Sequence, residues 1–199
     1  MADVDDHAVD LMTTQAAWSD AEWEAAWAPY DETTYRAALE LIRPDDVVLD
    51  IGAGDLRFAC RAAARARTVI AVEQRAELLT GSRPPNLLVI CGDARRVPFA
   101  PGVTVGVLIM RHCRHFAEYA GKLQAAGCTR LVTNARWGLG IEEVSLAERI
   151  PFAAFAAGWY ACRCGAVGFK PGPPENLTPA LRAATAEVET CPACLDIGG

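Results

Sequence analysis

The chain has 199 residues, 52% of them apolar, and a formal net charge of −6. That length can bury one sizeable core plus a small appendage, and no apolar run approaches the roughly 20 residues of a membrane span. The opening Met1-Ala2-Asp3-Val4-Asp5-Asp6 is acidic, the opposite of a secretory signal. The expectation is a soluble, cytoplasmic protein without a membrane partner, whose eight cysteines are reduced thiols or metal ligands rather than disulfides. The charge is unevenly placed. Residues 1–50 hold 13 acids against Arg36 and Arg43, whereas residues 51–199 hold 12 acids and 17 bases. The acidic total therefore leaves a polyanionic partner of the body open.

Ser19-Asp20-Ala21-Glu22 spells a capping box for a short helix to residue 28, stopped by Pro29, with Trp23 and Trp27 on one face. Asp31 suits the N-cap of a second helix over 32–42, which Pro44 ends. Trp18, Trp23, Trp27, Tyr30 and Tyr35 read either as packing against a sheet edge or as a lid over a pocket, so residues 1–45 are expected to form a helical cap. Val47-Val48-Leu49-Asp50-Ile51 then reads as a buried parallel strand, and Gly52 and Gly54 as a tight strand-to-helix turn. A dinucleotide fingerprint needs a third glycine where Arg57 stands, which argues against NAD. A helix is expected over 56–67, with Arg57, Arg61 and Arg65 on a solvated face. Strands follow over 68–72, ending in Glu73, over 86–91, ending in Gly92-Asp93, and over 103–110. A helix over 113–126, a fifth strand over 129–133 and a short helix over 141–149 complete the series. Strands alternating with helices predict an α/β fold with a doubly wound, mostly parallel sheet over residues 46–150.

The run Asp50-Ile51-Gly52-Ala53-Gly54 resembles motif I of the class I, Rossmann-like S-adenosyl-L-methionine (SAM) methyltransferases. In that family an acid ending the second strand holds the ribose hydroxyls, and an acid after the third meets the adenine amino group. Glu73 and Gly92-Asp93-Ala94 stand at those places, and the resemblance spans residues 30–137. It implies a Rossmann-like fold, SAM as cofactor, and cofactor binding by Asp50, Gly52, Gly54, Glu73, Asp93 and Ala94. Carboxylates at the carboxyl ends of adjacent strands point into the crevice where open α/β sheets bind ligands.

The residues facing the transferable methyl group in this family lie just after the fourth strand, here Met110-Arg111-His112-Cys113-Arg114-His115-Phe116. There is no Asp/Asn-Pro-Pro-Tyr, which disfavours the amino-group methylation that uses it, and no Pro-Cys, so Cys113 reads as a structural thiol. His112 and His115, with Arg111 beside them, are the candidate catalytic residues, since imidazole titrates near neutrality. Each histidine reads equally as one bonded at a helix start, and methyl transfer needs in-line positioning more than a dedicated base. Asn134-Ala135-Arg136-Trp137 is a second candidate substrate wall, or a structural turn.

Cys162-Arg163-Cys164-Gly165 and Cys191-Pro192-Ala193-Cys194, with 26 residues between Cys164 and Cys191, carry the signature of a four-thiolate zinc ribbon over 151–199. The first pair is C-x-C rather than C-x-x-C. Gly165 suits a metal knuckle, and Trp159-Tyr160 with Gly168-Phe169 suits the flanking hairpin. Iron and two redox disulfides are the alternatives. Cys60, Cys91, Cys113 and Cys128 fall singly and are expected in the core. The resemblance thus implies a SAM-dependent methyltransferase, and the added ribbon points to a macromolecular substrate, RNA or protein, that it helps to recognise. The alternatives are a small-molecule methyltransferase with a structural ribbon, and a SAM-binding module without catalysis.

Overall fold

The computed structural model describes residues 30–111, 113–136, 140–176 and 178–196. The helix expected before Pro29, its tryptophans Trp18, Trp23 and Trp27, the candidate His112, and Trp137 lie outside the described residues.

Helix α1 (Glu32–Glu40) starts where the sequence places it, because the Asp31 side chain accepts a 2.7 Å bond from the Thr34 amide. Strand β1 (Val47–Ile51) pairs in parallel on both sides, with β2 (Thr68–Glu73) and with β4 (Val105–Leu108). Strand β3 (Leu87–Cys91) extends the sheet beyond β2, and β5 (Arg130–Thr133) extends it beyond β4. Strand β6 (Glu142–Ser145) closes the order β3-β2-β1-β4-β5-β6, antiparallel to β5. The expected doubly wound, Rossmann-like α/β architecture is present.

Helices α2 (Arg57–Ala63) and α3 (Phe116–Ala125) follow β1 and β4. Chain progress reverses between β1 and β4, so right-handed crossovers send the two helices to opposite faces. Leu49, Ile51, Leu108, Leu131 and Ala135 share one cluster with Phe116, Tyr119, Ala120 and Leu123 of α3. Gly106 lets α3 down onto the sheet, since a Cβ there would run into the Leu123 side chain. Both helices are shorter than the sequence suggests. Before α3 begins, the Cys113 N–H reaches the Met110 carbonyl and the Phe116 N–H reaches the Cys113 carbonyl.

Two expectations need correction. The short helix expected over 141–149 is strand β6, and the acids explain why. Consecutive Glu142 and Glu143 reach opposite ways, Glu142 to Arg136 and Glu143 to Arg43 and Arg130, as only alternating strand side chains do. Strand β3 is an edge strand rather than a buried one. The link from β2 holds one 3-10 turn, Ala76–Leu78, in place of a covering helix, which leaves Leu88, Ile90 and Cys91 exposed. Cys91 is thus no core thiol; Cys128 is buried, and Cys60 and Cys113 are half-buried.

The amino edge of the sheet is tied by Asp46, which accepts from the Arg43 amide, the Thr104 hydroxyl and the Arg130 guanidinium. Burial raises its pKa, but these donors outweigh burial and hold it below the usual carboxylate range. Arg57, Arg61 and Arg65 are exposed, as expected of a solvated face, and two of them also reach α1, Arg61 pairing with Glu32 and Arg65 donating to the Leu39 carbonyl.

Beyond β6 a second sheet forms in the order β8-β7-β9, from β7 (Gly158–Cys162), β8 (Val167–Lys170) and β9 (Thr185–Val188), with helices α4 (Pro179–Ala183) and α5 (Pro192–Asp196) flanking β9 in sequence. The expected hairpin is there, with Trp159 opposite Phe169 and Tyr160 opposite Gly168.

Candidate functional site

The crevice lies at the carboxyl ends of β1 and β4, where the strand order reverses and open α/β sheets take their ligands. Gly52 (φ 71°), Gly54 (φ 56°) and even Leu56 (φ 66°) adopt the left-handed region, so the turn into α2 is wound tightly. At Gly52 a Cβ would lie 2.8 Å from the Met110 Cε, the mobile end of a flexible side chain, so it is the φ of 71° that favours glycine there. Beside Gly54 a Cβ would meet nothing within 4 Å among the described residues.

Glu73, at the end of β2, is bound to that turn in a way the sequence does not reveal. Its Oε2 accepts the Gly54 amide at 2.8 Å, and its Oε1 accepts the Arg75 amide at 2.9 Å and the Arg75 Nε at 3.1 Å. The carboxylate is 3% exposed, fixed in orientation, and keeps lone pairs for a further donor.

Asp50 is buried beside it, and its Oδ2 has no hydrogen-bond partner among the described residues. Burial, and then the neighbouring Glu73 charge, push its pKa up to about 7. A carboxyl whose folded pKa is raised stabilises the fold in its protonated form and loses that stability as pH rises. The loss therefore runs from about pH 4 to about pH 7. Asp50→Asn is expected to flatten this slope and to add up to ~4 kcal/mol at pH 8, with no gain at pH 4. Thermal melts of both proteins at the two pH values measure it.

Asp93 accepts the Arg95 amide at 2.9 Å and its guanidinium at 2.8 and 3.0 Å. These bonds hold its pKa down at about 2. The adjoining loop is fixed by Lys122, whose Nζ donates to the carbonyls of Ala94, Arg95 and Val97, with Ala94 itself buried. A ligand amino group reaching Asp93 would share its carboxylate with Arg95.

On the other side of the crevice, His115 ends the post-β4 turn. Its Nδ1 lies 3.5 Å from Glu118, its Nε2 lies 3.5 Å from Arg95, and its ring meets the edge of Tyr119. Arg111 stands within electrostatic reach of Asp31. Asn134 is 2% exposed, and neither its amide nitrogen nor its oxygen has a partner among the described residues. Leu131 and Ala135 lie in the α3 cluster, so alternation turns Asn134 to the opposite face, the one Asp50 also uses. Continuing the pairing of Asp50 with Val107 and of Leu108 with Thr133 puts Gly52, Ile109 and Asn134 in one row at the carboxyl edge.

Arg136, in contrast, forms no substrate wall. Its side chain is 1% exposed, bonded to Glu142 and to Glu187 of β9, and lies over the Phe116 ring. It is the joint between the two sheets. Near it, the Gly165 knuckle packs on Phe116 at the start of α3.

Cys162, Cys164, Cys191 and Cys194 come together with all four sulfurs within 4.8 Å of one another. The Cys162–Cys194, Cys164–Cys191 and Cys191–Cys194 separations are 3.5, 3.7 and 3.8 Å. A tetrahedral centre with zinc–sulfur bonds of about 2.3 Å has sulfur–sulfur edges of about 3.8 Å. A disulfide would need about 2.05 Å. The shortened C-x-C pair works because Gly165 (φ 92°) closes the knuckle, its amide bonding the Cys162 carbonyl, while Cys162 N–H reaches the Ala166 carbonyl. Burial pushes the Cys162 and Cys164 thiols up, so loading a metal would displace protons.

No protein-family model and no curated protein matches this chain. Solved structures do. A dimethyladenosine transferase from Plasmodium falciparum is 19% identical with a TM-score of 0.46, over 52% of this chain and 41% of that one. The 23S rRNA methyltransferase ErmE is 26% identical with a TM-score of 0.41, over 52% and 45%. A geranyl diphosphate methyltransferase is 15% identical with a TM-score of 0.46, over 57% and 48%. The match thus spans less than half the length of each of these three chains.

Proposed function

We propose that this chain binds SAM at the β1–β3 carboxyl edge and is a methyltransferase. The observation carrying this reading is the coupling of Gly54 to Glu73, a fixed, buried carboxylate beside a backbone turn that no described residue covers at Gly54. The residues fit the cofactor. Glu73 keeps acceptor capacity for ribose hydroxyls, Asp93 stands ready for an amino group, and the unpaired Asp50 Oδ2 lacks a donor that a bound ligand or its water would supply. SAM supplies an activated methyl on a sulfonium. The chain's own part is to hold donor and acceptor in line and keep water out. Met110, His115 and Asn134 border the acceptor side. Asn134 offers one donor and one acceptor to a polar group of the substrate.

The four cysteines hold one zinc ion, and the module they close lies beside the post-β4 turn, so that the two form one substrate face. Arg95, Arg96, Arg111 and Arg114 cluster in sequence around Asp93 and that turn, which favours an acceptor carried on RNA. Incubation with methyl-labelled SAM and fractionated cell extract tests this. Label is expected in nuclease-sensitive material. Label in protease-sensitive material would move the acceptor to protein, and label confined to small molecules would contradict a macromolecular acceptor. Absence of transfer to every fraction would leave a SAM-binding module without catalysis.

A further inference from the structure

Two polar residues on the acceptor side of the crevice, Asn134 and His115, each stand next to a residue that the second sheet holds. Asn134 lies between two ties. On one side the Thr133 hydroxyl accepts the Ala135 amide at 2.9 Å and donates to the Leu108 carbonyl at 2.7 Å, which fixes the segment to the end of β4. On the other side is Arg136. Glu142 of β6 accepts its Nε at 2.6 Å and its Nη2 at 2.5 Å. Glu187 of β9 accepts its Nη1 at 3.0 Å and pairs with its Nη2 at 2.8 Å. One bidentate carboxylate therefore comes from each sheet, and a planar fork fixes direction as well as distance. His115 is followed by Phe116, which is buried and has the Arg136 guanidinium 5.9 Å from its ring centroid. A Cβ on Gly165 would lie 3.4 Å from the same ring.

The second sheet supplies both contacts from beside the cysteine cluster. Glu187 is the register partner of Ala161, one step from the pairing of Cys162 with Val188, and Gly165 directly follows Cys164. Gly54 and Glu73, in contrast, take their bonds from each other and from Arg75. We propose that Arg136 is a positioning residue for methyl transfer. Together with Phe116 it passes the folded state of the cysteine module to Asn134 and His115. The acceptor side is then set only while the module is folded around its metal, and the cofactor side at Gly54 and Glu73 is independent of it. In-line transfer is sensitive to such a joint, because a displacement of about 1 Å at the reacting groups costs on the order of 100-fold. The proposal rests on the reading of the crevice as a methyltransferase site and of the four cysteines as a zinc site.

The test compares zinc-loaded wild type, Arg136→Met and Glu187→Gln. Each is measured for SAM binding by calorimetry and for transfer of labelled methyl to the extract fraction that wild type labels. SAM affinity is expected to stay at the wild-type value. Transfer per SAM-binding molecule should fall by about 10- to 100-fold in Arg136→Met and by less in Glu187→Gln, mainly in the rate at saturating acceptor. A residue that only braced the fold would lower the melting temperature and leave this ratio unchanged, since unfolded chains bind no SAM. An unchanged ratio in both variants would overturn the proposal, and where Arg136→Met does not fold, Glu187→Gln alone decides. Hydrogen exchange reads the joint without activity. Zinc chelation, or the Cys191→Ser, Cys194→Ser double variant, should speed exchange at the bonded amides of Phe116 and Ala135 and spare that of Gly54. Unchanged protection at Phe116 and Ala135 would equally overturn the joint. A wild-type chain that binds no SAM and labels no fraction would contradict the methyltransferase reading instead, and exchange would still decide whether the module sets these residues.

Discussion

Removing zinc is expected to unfold the β7–β9 module while the six-stranded sheet stays folded. The module's own buried core is small, Cys162, Val188 and Cys191 with Phe152, Phe155 and Tyr160 against them. Two of those buried residues belong to the four-cysteine cluster, so under the zinc reading the core is built around the ion. A segment of this size rarely folds on apolar burial alone. Structural zinc in comparable small peptides contributes on the order of 10–16 kcal/mol at neutral pH, more than so small a core replaces. Freshly prepared, reduced protein is therefore expected to carry about one zinc per chain by elemental analysis. On chelation, or in the Cys191→Ser, Cys194→Ser double variant, amides of β7 and β9 should lose protection from hydrogen exchange. Those of β1 and β5, which sit in the large cluster with α3, should keep it. Metal-free protein with a protected second sheet would contradict the account.

The second large effect is expected at Glu73. Replacing it by Ala removes both the acceptor offered to the ribose and the carboxylate that pins the Gly54 amide and Arg75. Cofactor affinity should fall by 10- to 100-fold, about 1.4–2.8 kcal/mol. Glu73→Gln keeps the shape and one oxygen, and should retain more affinity than Ala. Gly54→Val acts through the backbone, since a β-branched residue resists the φ of 56° seen there, and it fills the open space beside the turn. A folded Gly54→Val protein with wild-type affinity would remove the site from this turn, whatever Glu73 does.

How these elements were legible differs from case to case. β-branched, aliphatic strands around Asp50-Ile51-Gly52-Ala53-Gly54 announce a buried parallel sheet because periodicity and glycine chemistry are local properties. The cysteine spacing with Gly165 announces the cluster for the same reason. What stayed hidden is long-range. Glu142 and Glu143 fit a helix until the arginines on either side of β6 are known. The exposure of Leu88 and Ile90 goes with a β2–β3 link that holds a 3-10 turn and no helix, which no residue within β3 encodes. Arg136 has the composition of a substrate-binding cation, and only its two glutamate partners, one of them 51 residues away, reveal a joint. The isolation of the Asp50 and Asn134 polar atoms is likewise a property of the assembled crevice.

The claim that the carboxyl edge of the sheet is a SAM site is tested most directly by calorimetric titration of zinc-loaded wild-type protein with SAM. Saturable one-to-one binding that Glu73→Ala weakens at least tenfold is the predicted result. A folded protein that shows no saturable binding up to millimolar SAM, about −4 kcal/mol of affinity, would contradict it.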